Sequence, residues 1–152
     1  MNLDALELTE HPEGGRFREV HRSADTLSLP DGRERNTLTH IYFHLAQGET
    51  SRFHRVAQEE VWNLYRGALR LWLWDENTDR IENIELSADA NRFCAVIPTG
   101  TWQAAEPLDG EALIGCTVAP GFDFADFELM SDDHPSFALL RKRGLDRFLP
   151  CP

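Results

Sequence analysis

Residues 48–67 constrain the fold more than any other part of this chain. Two short runs of alternating pattern flank Ala57-Gln58-Glu59, and a glycine stands at each end of the segment, Gly48 and Gly67. Residues two apart on a strand share a face. His54 and Val56 therefore point together, and so do Glu60, Trp62 and Leu64. If Ala57-Gln58-Glu59 turns the second run back alongside the first, His54 and Glu60 sit side by side in an interior walled by Val56, Trp62 and Leu64. Gly67 then ends the strand at the next turn. Similar strand-like runs occupy residues 16–22, 37–45, 69–74, 81–86, 93–97 and 112–119. Turn residues such as Asp75-Glu76-Asn77 and Pro98-Thr99-Gly100 separate several of them. In 37–45, Ile41, Phe43 and Leu45 share one face, and His40, Tyr42 and His44 share the other. Many short strands at near-regular spacing predict an all-β sandwich or closed barrel.

Only the two ends have a helical pattern. Residues 2–9 form a weak amphipathic turn. Residues 135–143 follow Asp132 and Asp133 and close on Arg141, Lys142 and Arg143, which complements a helix dipole. Phe137 and Leu140 would be its buried stripe. The chain has 152 residues, without repeat or linker, and the expectation is one domain over 1–152. Cys94, Cys116 and Cys151 are an odd number without zinc or redox spacing, and the first two lie in apolar runs that suit buried free thiols. The opening residues lack a secretory pattern, and no apolar stretch approaches the ~20 residues that cross a bilayer. A soluble, cytoplasmic protein is expected. The net charge of −11, from 26 acidic and 15 basic residues, argues against nucleic acid and anionic membrane as partners.

The order Gly48, His54, Glu60, Gly67 resembles the first cupin motif, in which the glycine is followed by His-x-His, a glutamate and a second glycine. Val56 stands in place of the second histidine. Pro98 and Gly100 are similar to the start of the second motif, with Gln103 in place of its histidine. A narrower resemblance spans most of the chain. It rests on His11-Pro12-Glu13-Gly14-Gly15, Ser51-x-Phe53-His54-Arg55-Val56, Glu60-Val61-Trp62, Trp102-Gln103-Ala104-Ala105 and the run 115–124, and it is to small single-domain cupins that mostly lack an assigned activity. The resemblance implies a double-stranded β-helix, a jelly-roll-like barrel with short flanking helices. It also implies a homodimer formed through N-terminal strands. The usual cupin metal site has three histidines and a glutamate. Here His54, Glu60 and Gln103 would be the whole set, so no cofactor is expected, beyond room for a loosely held divalent ion.

Without a metal, a carboxylate beside an imidazole stabilises the imidazolium and fixes the ring tautomer, which suits acid–base work. His54 is the candidate base, oriented by Glu60, with Tyr42 as acid, since Tyr65 has the wrong parity. Ser51 and Gln103 would position a substrate oxygen. Trp62, Trp102, Phe122 and Phe124 would line a pocket for a small polar, sugar- or nucleotide-like molecule, or else fill the core. The loop carrying Phe122 and Phe124 would cover the barrel mouth or pack outside the sheet. Trp72 and Trp74 share a face suited to core or dimer contact. His11, His21, His40, His44 and His134 have no partner at ligand spacing and are taken as structural or exposed. Gly14-Gly15 supplies turn conformations. Three functions fit: a metal-independent isomerase or epimerase, a non-catalytic small-molecule binder, and a metal-dependent lyase or oxygenase.

Overall fold

A computed structural model describes residues 3–150. Its strands are β1 (Thr9–Glu10), β2 (Arg16–Arg22), β3 (Thr26–Ser28), β4 (Glu34–Asn36), β5 (Thr39–Leu45), β6 (Ser51–Val56), β7 (Glu59–Arg66), β8 (Leu69–Asp75), β9 (Arg80–Leu86), β10 (Cys94–Ile97), β11 (Trp102–Pro107), β12 (Ala112–Ala119) and β13 (Phe127–Leu129). They build two antiparallel sheets, ordered β1-β2-β5-β12-β7-β10 and β13-β6-β11-β8-β9, with β3 and β4 as a separate hairpin. This is the barrel-like, all-β architecture that the strand pattern and the motifs imply.

Alternation sends one side chain in two to the space between the sheets. Phe43, Leu45, Trp62, Leu71, Leu73, Ile97 and Ile114 fill it, all nearly solvent-free. A second core lies on the other face of the β6–β11–β8 sheet. There Phe53, Trp74 and Trp102 pack against Leu140, Leu145, Phe148 and Leu149. The helical end holds this core: α1 (Phe137–Lys142) carries Leu140 inward, with Phe137 packed beside it. Trp72 joins the same cluster, so the Trp72 and Trp74 face is core. At the other end of the chain, Asp4–Leu6 is a single 3-10 turn.

Two expectations change. β6 and β7 are not partners: β6 lies between β13 and β11, and β7 between β12 and β10. The link from Val56 to Glu59 does not turn back along one sheet but crosses to the other. His54 and Glu60 therefore project into the barrel from opposite sheets rather than side by side. Cys94 is exposed at the end of an edge strand, whereas Cys116 is buried as expected; Cys151 lies outside the described residues.

The turn 11–15 sets the site in place. Gly14 has φ +108°, and a Cβ there would stand 2.3 Å from the Thr50 carbonyl oxygen. Just before it, Glu13 O accepts the Arg52 backbone N–H at 2.8 Å. A side chain at Gly14 would push the turn off β6, so Gly14→Ala is expected to cost about 2 kcal/mol or more in chemical denaturation. A loss within error of zero would show that the turn is free to move.

Candidate functional site

Between the sheets lies a cavity of about 290 Å³. β2 and β5 contribute Phe17, Ile41 and Phe43, β6 contributes His54 and Val56, β7 Glu60 and Trp62, and β12 Cys116 and Val118. Phe122, Asp123 and Phe124 also line it, so the loop after β12 covers the barrel mouth. That loop is pinned at several points. Phe122 N donates to Thr39 Oγ1 at 2.9 Å, and Arg22 donates to Phe122 O. Further on, Asp126 accepts from Arg33, Arg35 and Gln58. Burial pushes the Asp126 carboxyl up, but the bonds from Arg35, Arg33 and Gln58 outweigh it and hold its pKa at about 2.

The polar centre of the cavity is Glu13. Its Oε2 lies 3.3 Å from both His54 Nε2 and His11 Nδ1, and its Oε1 accepts from Ser51 Oγ at 2.8 Å. His54 Nδ1 is 2.8 Å from Arg52 O. A carbonyl only accepts, so Nδ1 carries a hydrogen. The two acceptors facing His54 match the two N–H groups of an imidazolium. Burial alone would raise the Glu13 pKa, yet the positive His54, the His11 contacts and the Ser51 hydroxyl bring it below its ordinary value.

Glu60 has the opposite balance. Burial raises its pKa, and the charge on His54 and the hydrogen bond from Gln103 Nε2, at 2.6 Å, only partly offset this. Trp62 Nε1 is buried without a partner in bonding geometry, although it is near enough to Glu60 to oppose the rise slightly. Two carboxyls in one cavity are thus driven apart, the arrangement by which acid and base roles are separated. Burial and the same two carboxylates push the Cys116 thiol well up, which leaves it neutral and unreactive.

Of the candidate residues, His54, Glu60, Trp62 and Phe122 meet at this cavity, and Gln103 reaches it through Glu60. Ser51 is buried behind Glu13 rather than facing the cavity. Tyr42 does not reach it. Ile41 and Phe43 point inward, so Tyr42 must point outward, where it packs on Tyr65 and His40. Trp102 is excluded by the same alternation: Gln103 faces in, and Trp102 turns into the second core beneath the Arg55 guanidinium. Leu64 belongs to the packed core beside the cavity. Glu13 and His11 also line the cavity, although neither is a candidate from the sequence. Their only sequence signal is a carboxylate and an imidazole inside a Gly-Gly turn, which turn chemistry alone explains.

The family model described as Cupin superfamily (DUF985) matches residues 2–130. The chain belongs to this family. A protein of Shewanella oneidensis is 30% identical to this cupin over 99% of the present chain and 96% of its own, with a TM-score of 0.85. A hypothetical protein from Leishmania major is 26% identical over 96% and 93%, with a TM-score of 0.80. An oxalate decarboxylase variant from Bacillus subtilis shares the fold, with a TM-score of 0.62 at 18% identity. The match covers 91% of this cupin but 35% of that enzyme. No curated protein matches the chain. No helix among the described residues is long and apolar enough to cross a membrane.

The donor chemistry of this cupin does not fit the metal that the superfamily often holds. Both ring nitrogens of His54 are engaged, Val56 has no donor atom, and Gln103, whose Nε2 donates to Glu60, offers only a neutral amide oxygen. Among the described residues, no three His, Cys, Asp or Glu side chains are arranged to hold an ion.

Linkage makes the split testable. The lowered Glu13 pKa contributes stability above the ordinary value of 4.5, and this is lost as pH falls through the folded-state pKa. The raised Glu60 pKa acts the other way: its contribution is complete below 4.5 and is lost as pH rises through the folded-state pKa. Glu60→Gln removes only the second effect. Its melting temperature is expected to gain on the native protein between pH 4 and pH 8, in melts read in ~0.5 unit steps. A difference independent of pH would contradict the raised Glu60.

Proposed function

We propose that this cupin binds a small organic molecule in the barrel and moves a proton on it, as a metal-independent isomerase or epimerase. One observation carries the proposal: a buried His54–Glu13 pair shares a cavity with a second carboxyl, Glu60, whose pKa is shifted the other way. The roles differ from those expected of the sequence. Glu13, not Glu60, orients His54, and Glu60 is the group that exchanges a proton with substrate.

For a carbonyl substrate the step balances simply. The C–H bond next to the carbonyl breaks, its proton goes to the Glu60 carboxylate, and the electron pair moves onto the carbonyl oxygen as an enolate. His54, fixed between Arg52 O and Glu13, supplies positive charge to that oxygen. Return of the proton to another carbon, or to the other face, completes an isomerisation or an epimerisation. A carboxyl with a raised pKa suits this work near neutral pH. The complete internal bonding of His54 favours a second reading, in which the pocket binds its ligand without turnover.

Solvent deuterium exchange into a panel of small carbonyl compounds tests the chemistry. Exchange is expected, and Glu60→Gln should slow it by about 10²-fold or more. Tight binding without exchange would favour the second reading. Elemental analysis of protein purified without chelators tests the metal independence, and a stoichiometric ion lost on His54→Ala would overturn it.

A further inference from the structure

The hydrogen-bonding capacity of the cavity narrows what can occupy it. Polyhydroxylated molecules need many paired donors and acceptors and anionic ones an unpaired cation, and most polar groups lining this cavity are already bonded within the protein. Arg22 is the one arginine on its lining. It donates to both carboxylate oxygens of Glu19, at 2.9 and 2.7 Å, and its remaining N–H groups go to Asn36 Oδ1 and Phe122 O. Thr39 Oγ1 holds Phe122 N. Glu13 is engaged by His11, His54 and Ser51. Glu13, Glu19 and Asp123 line the same space beside Glu60 and disfavour an anion.

Besides the hydroxyl hydrogen of Thr39 and the second ring nitrogen of His11, two groups keep capacity for a ligand. One is the Glu60 carboxyl, only one of whose oxygens is taken by Gln103. The other is the Trp62 indole N–H, which is 1% exposed and has no partner in bonding geometry. The rest of the wall is aromatic. Phe17, Phe43, Trp62, Phe122, Phe124 and Phe127 surround the space, and Phe124, 53% exposed, stands at the rim. Aromatic faces hold flat rings well, by offset or edge-on packing. Size agrees: an apolar cavity of about 150 Å³ takes benzene, and this one, at about 290 Å³, has room for a ring with a short polar arm.

We infer that the ligand is a compact, non-anionic molecule with a flat, mostly apolar body and one oxygen acceptor placed at the Trp62 indole N–H, rather than a sugar or nucleotide. A sugar would set hydroxyls against the aromatic wall, at about 1–3 kcal/mol for each one left unpaired. A nucleotide would add phosphate charge against the acidic lining. The inference takes its site from the proposed function but not its chemistry, because binding alone tests it. Ligand binding without deuterium exchange would defeat the proton transfer and leave this inference standing.

The experiment is calorimetry and thermal shift on the full chain with one body and four polar ends. The probes are acetophenone, benzoate, benzylamine and toluene, with glucose beside them. Acetophenone is expected to bind at least about tenfold tighter than benzoate, benzylamine or glucose. Trp62→Phe should lower acetophenone affinity toward that of toluene, with toluene binding little changed. Tighter binding of glucose, benzoate or benzylamine would overturn the inference, as would failure of every probe to bind. Equal loss of acetophenone and toluene in Trp62→Phe would overturn the role of the indole N–H. The ranking in the native protein stands whether or not the variant folds.

Discussion

The buried carboxylate of Glu13 is the contact on which the site depends. An ionised carboxylate in a low-dielectric interior is costly unless it is paired and hydrogen-bonded. Glu13 is both, with an imidazole on each side and a serine hydroxyl behind it. These partners come from separate parts of the chain: His11 from the same turn, Ser51 and His54 from β6. The carboxylate thus ties the N-terminal turn to the second sheet. The backbone bond from Arg52 N to Glu13 O repeats that tie, and Gly14 permits it by leaving room for Thr50 O. Removing Glu13 would leave His54 Nε2 without the carboxylate beside it.

Everything else at the centre follows from His54 being held this way. Its charge reaches Glu60 across the barrel and moderates, without cancelling, the rise that burial causes. Gln103 takes a similar part. At the position where the cupin motif would place a metal-binding histidine, it donates to Glu60 instead. With Val56 at the other vacant ligand position, the familiar barrel keeps its shape and changes its chemistry. The centre becomes a pair of carboxyls shifted in opposite directions.

Much of the fold was legible because alternation is a local property. Residues 112–119 form a strand with the expected bounds, and Phe43 faces the core as its parity requires. The same rule shows why two candidates failed. Tyr42 and Trp102 were chosen for their chemistry, yet each adjoins a residue that faces inward, so each had to face out. The placement of His54 beside Glu60 failed for a non-local reason: nothing in Ala57-Gln58-Glu59 says whether the next strand pairs with the last or crosses the barrel. Glu13 was hidden by distance. It lies some forty residues before its partners, in a turn whose glycines already had a sufficient explanation. The pinning of Phe122 by Arg22 and Thr39 is likewise long-range and leaves no local trace.

The account stands on the separation of Glu13 and Glu60. Its direct measure is the side-chain carboxyl carbon of each residue, followed by NMR through a pH titration with Glu13→Gln and Glu60→Gln for assignment. Coupled groups titrate as a pair, so the apparent values belong to the cavity as a whole. The lower transition is expected to follow Glu13, below its ordinary value of 4.5, and the upper to follow Glu60, above it. Two carboxyls titrating together in the ordinary range, or Glu13 titrating above Glu60, would contradict the account.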